Sequence, residues 1–435
     1  MLRSTMSYSE LKGRESEMMR ALIISPFFPP RADAEAFCGG KFVQGLLDEN
    51  VEPTVICCHQ NITPAYRFDT SSCWKPLESV TVDIPNPAQL PLARRCWLGL
   101  RYQTTTWTGW TGAVVRTARE LHLQRPFDFV VSRSNPWHAH LAGYWVASEL
   151  RIPWIMNLND PWDFSAFRSD RVSRSLEKHS LVDKLWRRRL LARANIVTFP
   201  CERLRDYVLR GTRRRVGVHV IPHIGAASKA SVGGSRFAIV HAGAMHRRQG
   251  TGRRADTVID GLADLFKSRP TARSRTRLVF VGAEDAGTMQ YAADLGLSEV
   301  VACTGQVSYE ASLQYIADAT VALLIEANFA TGIFLPSKLC DYIAAGKPVL
   351  ALSPAVGTVN DLARDAGIIR VDPDDGRRVS EALRTLFDAF VRGELAAYAA
   401  PQSVRQRFEA GGVITRFLEL LTSSKRIPQQ HIDDS

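Results

Sequence analysis

Nowhere along the 435 residues do two cysteines stand in a Cys-x-x-Cys pair. The eight cysteines are scattered, which supports neither a structural zinc site nor a redox motif. Those in apolar runs (Cys57, Cys58, Cys340) are expected to act as small core residues. No stretch approaches the about 18 uninterrupted apolar residues of a membrane-spanning helix; the best, Val321 to Ile325, ends at Glu326. Residues 1–18 lack the apolar centre of a secretory signal. They read as a polar extension or as an early start, since Met18-Met19-Arg20 offers another beginning. A cytoplasmic protein is the default expectation.

Lysine is scarce beside arginine, and the net charge is +11. Arginines cluster at 187–189, 213–215, 247–248 and 253–254. Such a balance attracts polyanions, whether nucleic acid, lipid headgroups or phosphorylated substrates. The first two clusters also read as solvated helix faces, and no nucleic-acid motif accompanies any of them. The 45% hydrophobic and 23% charged content is that of a soluble globular chain.

Short apolar runs alternate with helical patterns through both halves. The first half opens with an apolar strand, Ala21 to Ser25, then Pro-rich sequence, the pair Gly39-Gly40 and a helix from Lys41 to Glu49. Further strands are expected at 54–58, 129–132, 154–157, 196–199 and 218–221, with helices at 140–150 and 176–194. The composition turns to Gly, Ala and Ser between Pro222 and Ser235. A second half opens with Phe237 to Gly243, and its strands follow at 277–281, 300–302, 321–325, 349–352 and 368–371. This alternation predicts an α/β protein of two doubly wound parallel sheets, with ligands at the carboxyl ends of the strands and hence in the cleft between domains. The expected division is a polar extension 1–18, a first Rossmann-like domain 19–226 on the acceptor side, a linker 227–236, and a second Rossmann-like domain 237–400 on the donor side. A helix 401–422 packs back on the first domain, and 423–435 is a frayed tail.

Leu335 to Ala351 holds the most functional information. Pro336 suits a first helical turn, and Gly346 with Pro348 ends the helix. Free N–H groups at a helix start, with Ser337 and Lys338 in that turn, make an anion site. Asp341 sits on the same face, three residues after Lys338. Phosphate cradle plus carboxylate suits a nucleotide sugar; an ordinary amphipathic helix with a basic first turn is the other reading.

An ordered series of pieces then carries a resemblance. Gly39-Gly40 comes first, followed by Asn159-Asp160-Pro161-Trp162, Val220-Ile-Pro-His-Ile-Gly225 and Val240-His-Ala-Gly243. Phe280-Val-Gly282, Thr304-Gly-Gln-Val307 and Pro336 to Val349 complete it. From about Met19 to Leu421 the chain resembles a family 4-type glycosyltransferase of the GT-B fold. The resemblance implies a retaining, metal-independent transfer of a hexosyl group from a UDP- or GDP-linked sugar to a glycan or lipid-linked hydroxyl, with no cofactor. It implies donor contacts at Gly39, Gly40, Gly243, Arg247 or Arg248, Gly305, Gln306, Val307, Ser337, Lys338 and Asp341, the last toward the ribose; a plain tight turn is the other reading of Gly39-Gly40.

Asp160, after a predicted strand, is assigned to the acceptor hydroxyl or donor sugar, with loop capping as its other reading. His138 is a second cleft candidate, and His140 competes with it. One departure is plain: where many family members carry a first glutamate, this chain has Ile333, and Glu326 lies beyond Gly332. A nucleotide-sugar epimerase or hydrolase on the same fold, and a non-catalytic binding protein, are the alternatives. Asp372-Pro-Asp374-Asp375 reads as a turn rather than a metal cluster. Residues 93–116 mix arginine with large aromatics. They fit either buried packing or an anionic membrane surface bearing the acceptor, at the inner face of the cytoplasmic membrane and in polysaccharide synthesis.

Overall fold

A computed structural model describes residues 18–59, 68–85, 90–104, 107–161, 181–212, 217–229, 235–243, 245, 253–283, 286–327 and 329–424. Two fully parallel sheets dominate. The first runs β3-β2-β1-β4-β5-β6-β7, with β1 Arg20–Ile24, β2 Glu52–Cys57, β3 Thr81–Asp83, β4 Phe129–Arg133, β5 Trp154–Asn157, β6 Ile196–Phe199 and β7 Val218–Val220. The second runs β10-β9-β8-β11-β12-β13, with β8 Phe237–Ala242, β9 Thr276–Val281, β10 Val301–Cys303, β11 Val321–Ile325, β12 Val349–Leu352 and β13 Ile368–Val371. Central strands such as β4, β5, β11 and β12 are buried along their whole length. They have helices on both faces, which is why they read as unbroken apolar runs.

The principal helices are α1 Ala34–Asp48, α2 Leu92–Tyr102, α3 Thr108–Gln124, α4 His138–Leu150, α5 Leu181–Arg193, α6 Tyr309–Asp318, α7 Ser337–Ala344, α8 Gly376–Arg392 and α9 Ala410–Ser424. Two local readings need correction. Helix α1 starts at Ala34 rather than Lys41, because the Asp33 carboxylate caps it by accepting from the Ala36 N–H at 2.8 Å. Gly39 and Gly40 therefore lie inside a helix. A Cβ on Gly40 would stand 2.5 Å from the Trp74 ring and 2.7 Å from Pro29, so the pair serves close packing. Strand β3 was not foreseen, being three residues long and only partly buried.

Each sheet reverses its strand order once, between β1 and β4 and between β8 and β11. The two reversals face each other across the domain boundary, where such sheets open a crevice for ligands. The chain crosses this boundary twice. After β7, Gly225 donates its N–H to Phe408 on the returning segment at 2.8 Å, and α9 then packs on α1 of the first domain. There Phe417 meets Phe42 edge to face at 4.9 Å, and Gly45 leaves room for Ile414.

Further contacts join the domains. Asp69 accepts from the Tyr309 N–H at 3.0 Å, and Glu310 accepts from the N–H groups of Ser72 (3.1 Å) and Cys73 (2.8 Å). Tyr309 stacks on Phe37 and Trp74. A Cβ at Gly225 would stand 2.1 Å from the Cys340 carbonyl oxygen, a backbone atom of α7 that cannot swing aside. Gly225→Ala is expected to cost about 1–3 kcal/mol, measured as a lowered midpoint in guanidinium unfolding.

Candidate active site

The cleft encloses a cavity of about 760 Å³ with walls from both domains. On the second-domain side, β8 ends at Gly243, whose φ of +111° lies in the left-handed region. A Cβ there would also stand 2.6 Å from the Lys338 ammonium and displace it, but it is the backbone conformation that calls for glycine. Tyr342 fixes the end of this strand: its hydroxyl accepts from the Ala242 N–H at 2.9 Å and donates to the Leu323 carbonyl at 3.3 Å.

Lys338, in the first turn of α7, reaches back under Gly243. Its Nζ lies 3.4 Å from His241 Nε2, while His241 Nδ1 donates to the Leu323 carbonyl at 2.9 Å. That bond leaves the Nε2 lone pair facing the ammonium. Burial, reinforced by Arg253, pushes the Lys338 ammonium well below the usual lysine range; Glu326 opposes this. Burial lowers Arg253 as well, against the pull of Glu326. Burial raises Glu326 to about 6, although Ser353 donates to it and both cations lower it. Two cations are thus held together under a helix N-terminus with one carboxyl beside them, an arrangement that a bound anion would relieve.

The first-domain wall is carboxylate-rich. Glu35, in the first turn of α1, accepts from Asn159 Nδ2 with both carboxylate oxygens, at 2.8 and 2.9 Å, with Arg133 at 3.9 Å. Burial raises its carboxyl well above the ordinary range, partly countered by Arg133. Burial also raises Asp160 to about 6, while the Asn135 Nδ2 donor at 2.7 Å holds it down. His223 completes this wall, pushed down to about 3 by burial with help from Lys41 and Arg133. It is a neutral imidazole at physiological pH.

Between the walls stands a buried ion pair. Lys41 Nζ of α1 donates to Asp341 Oδ1 of α7 at 2.8 Å, and the same oxygen accepts from the Ala226 N–H at 2.8 Å and lies 3.4 Å from the Tyr309 hydroxyl. Burial alone would lower the Lys41 ammonium, but Asp341 and Tyr309 hold it well above the usual range.

Gly243, Ser337, Lys338, Asp341 and Asp160 therefore share one cavity. Other residues singled out in the sequence do not line it. Gly39 and Gly40 are mid-helix packing residues, and their N–H groups serve the helix rather than an approaching phosphate. His138 is taken up in a stack between Trp107 (5.1 Å) and Trp137 (4.3 Å). His140 is buried against Ser132 Oγ at 2.9 Å, and burial lowers it to about 3. Gly305, Gln306 and Val307 precede α6, whose Tyr309 and Ser312 reach the cavity in their place. Arg247 and Arg248 lie outside the described residues.

Ile333 is core, its carbonyl accepting from Cys201 Sγ at 3.1 Å, and Glu326 supplies the second-domain carboxyl instead. Glu35, Lys41, His223 and Arg253 were missed as site residues. The acidic first turn after Asp33 was the available signal for Glu35, and the basic cluster at 253–254 that for Arg253. Among the described residues, one group of three potential metal ligands is present, Cys57, His59 and Asp83, on the outer strands β2 and β3 and not in the cleft. Asp375 caps α8 and Asp372 accepts from the Asp374 N–H, a turn rather than a cluster.

Residues 42–223 match the family model described as a glycosyl transferase 4-like domain. The chain is also similar to solved structures along nearly its whole length. Anabaena HepE, in complex with UDP and glucose, is 16% identical with a TM-score of 0.61, over 93% of this chain and 100% of that one. Sucrose-phosphate synthase from Thermosynechococcus elongatus is 15% identical with a TM-score of 0.58, over 93% and 98%. UDP-GlcNAc 2-epimerase from Neisseria meningitidis, bound to UDP-GlcNAc, is 13% identical with a TM-score of 0.56, over 93% and 100%. No curated protein matches in sequence. The fold is that of the GT-B glycosyltransferases, and the likeness to the glycosyl transferase 4-like domain covers residues 42–223.

Breaking the central ion pair tests its part in the cleft. Lys41→Ala strands a buried carboxylate and is expected to cost about 3–5 kcal/mol and to enlarge the radius of gyration in X-ray scattering. Lys41→Met with Asp341→Leu should recover most of the stability. Asp160 gives a pH test. A carboxyl raised in the folded state from 3.8 to about 6 withdraws stability as pH climbs through that window. Asp160→Asn should therefore be more stable than the parent at pH 8, by up to about 3 kcal/mol, with the gain shrinking toward pH 4 in thermal melts.

Proposed function

We propose that the protein is a retaining glycosyltransferase, moving a hexosyl group from a nucleoside-diphosphate sugar to a hydroxyl of a glycan or lipid-linked acceptor. The observation that carries this reading is the pair of half-buried basic side chains, Lys338 at the start of α7 and Arg253 beside it, across the cleft from Asp160 and Glu35. In it the diphosphate lies against Lys338, Arg253, Ser337 and the backbone at Gly243. Charge builds on the leaving phosphate as the anomeric C–O bond breaks, and the part of the cation contact that grows with it lowers the barrier. These side chains supply the neutralising charge, so we assign no metal to the step. Glu326 and Asp160 face the sugar from opposite domains. The acceptor oxygen bonds to the anomeric carbon, and its proton passes to the departing phosphate.

HepE is described with UDP, so UDP is the first nucleotide to titrate and GDP the second. Calorimetry should show one nucleotide binding. Lys338→Ala and Arg253→Ala should each weaken it about 10- to 100-fold, the worth of a charge-assisted hydrogen bond. Because burial holds the Lys338 ammonium well below its ordinary range, diphosphate binding should also draw in protons, seen as a binding heat that varies with buffer. Transfer should persist in EDTA and require an acceptor. Sugar release or epimerisation with no acceptor present would favour the epimerase or hydrolase alternative. Binding with no turnover on any acceptor would favour a non-catalytic partner.

A further inference from the structure

Helix α2 is amphipathic in an unusual sense, because its broad apolar face points away from the protein. Only Leu98 and Tyr102 of its side chains are buried. With about 100° per residue, Leu92, Cys96, Leu100, Ala93 and Trp97 form a continuous arc of roughly 140°. All five are exposed, with Leu92 at 74%, Trp97 at 61% and Leu100 at 82%. Arg94 and Arg101 border one edge of the arc and Arg95 the other, and the helix, LARRCWLGLRY, contains no acidic residue. Beside it, a groove of about 670 Å³ against α3 is lined by four arginines, Arg94, Arg101, Arg116 and Arg119, and two carboxylates, Glu120 and Glu149. Arg119 faces Glu149 at 3.6 Å, and Arg101 lies over the Trp145 ring at 5.2 Å.

An exposed apolar arc of this size needs a cover, and the arginine border says which kind. A second copy docking face to face would set one arginine rim against another. An anionic lipid surface accepts both parts, with acyl chains under the arc and phosphates at the rim. We propose that α2 lies in the surface of an anionic membrane, with the α2–α3 groove receiving headgroup phosphates.

The position of α2 gives this surface a use, which rests on the glycosyl-transfer reading above. Trp107, just before α3, stacks on His138 at the start of α4. Three residues earlier, Asn135 donates to Asp160 in the cleft. A membrane against α2 therefore adjoins the acceptor wall rather than the donor wall. The α5 arginines extend the same basic side: Arg189 donates to Gln103 at the end of α2 at 3.1 Å, and Arg188 is exposed. The acceptor class this favours is a sugar chain carried on a lipid phosphate.

The test is co-sedimentation of the full chain with vesicles of phosphatidylcholine alone or mixed with phosphatidylglycerol. Binding to the mixed vesicles is expected, falling as salt rises. Leu100→Asp should weaken it about tenfold or more, given what one buried leucine contributes, and Arg94→Glu with Arg101→Glu should abolish it. UDP titration of the same variants should be unchanged. That keeps failure here distinct from failure of the donor site. No binding to mixed vesicles, or equal binding by Leu100→Asp, would overturn the proposal. A dimer that Leu100→Asp dissociates, with no vesicle binding, would overturn it in favour of an interface between copies.

Discussion

A single carboxylate oxygen, Asp341 Oδ1, gathers a lysine from the first domain, the backbone N–H of Ala226 at that domain's end and a tyrosine hydroxyl from the second. Bringing Lys41 and Asp341 out of water is costly, and their mutual attraction repays that only if the geometry is kept. The rest of the cleft depends on this condition. It fixes α1 against α7, and so sets the distance between the wall that carries Glu35 and the wall that carries Lys338. The aromatic stack of Phe37, Trp74 and Tyr309 shields the pair and keeps the local dielectric low.

The two walls are electrostatic opposites, and each is held away from its comfortable state. On the donor side burial, with Arg253 adding to it, depresses the Lys338 ammonium. On the other side burial raises the carboxyls of Glu35 and Asp160 above the ordinary range. Groups shifted in this way cluster where proteins bind ligands and do chemistry. The scaffold beneath is conservative: two buried parallel sheets carry the walls, and no helix among the described residues is long and apolar enough to cross a membrane.

The sheets were legible because a strand covered on both faces needs an uninterrupted apolar run, and those runs stand out between Gly- and Pro-bearing turns. β3 was not, since Thr81-Val-Asp83 is short and half exposed. The start of α1 was obscured by Gly39-Gly40, which reads as a turn unless Asp33 is recognised as a cap. Within the site, Lys338 and Asp341 were visible because one short helix carries both. Lys41, Glu35 and Arg253 were not, because they meet the cavity only after elements far apart in sequence come together. His138 looked catalytic from its place after β4, but Trp107, 31 positions earlier, claims it for packing.

The hydrogen bond from Gly225 to Phe408 ties the two boundary crossings side by side. A body suspended by one thread can swing and twist freely; one held by two adjacent threads turns about the line that joins them, like a door on paired pins. Two adjacent crossings therefore restrain twist between the halves more than a single one would. Atoms close to that line, Cys340 among them, lie where a turn about it would move them least, and groups at the mouth where it would move them most. Entry and exit can then be governed at the rim while the pivot stays packed.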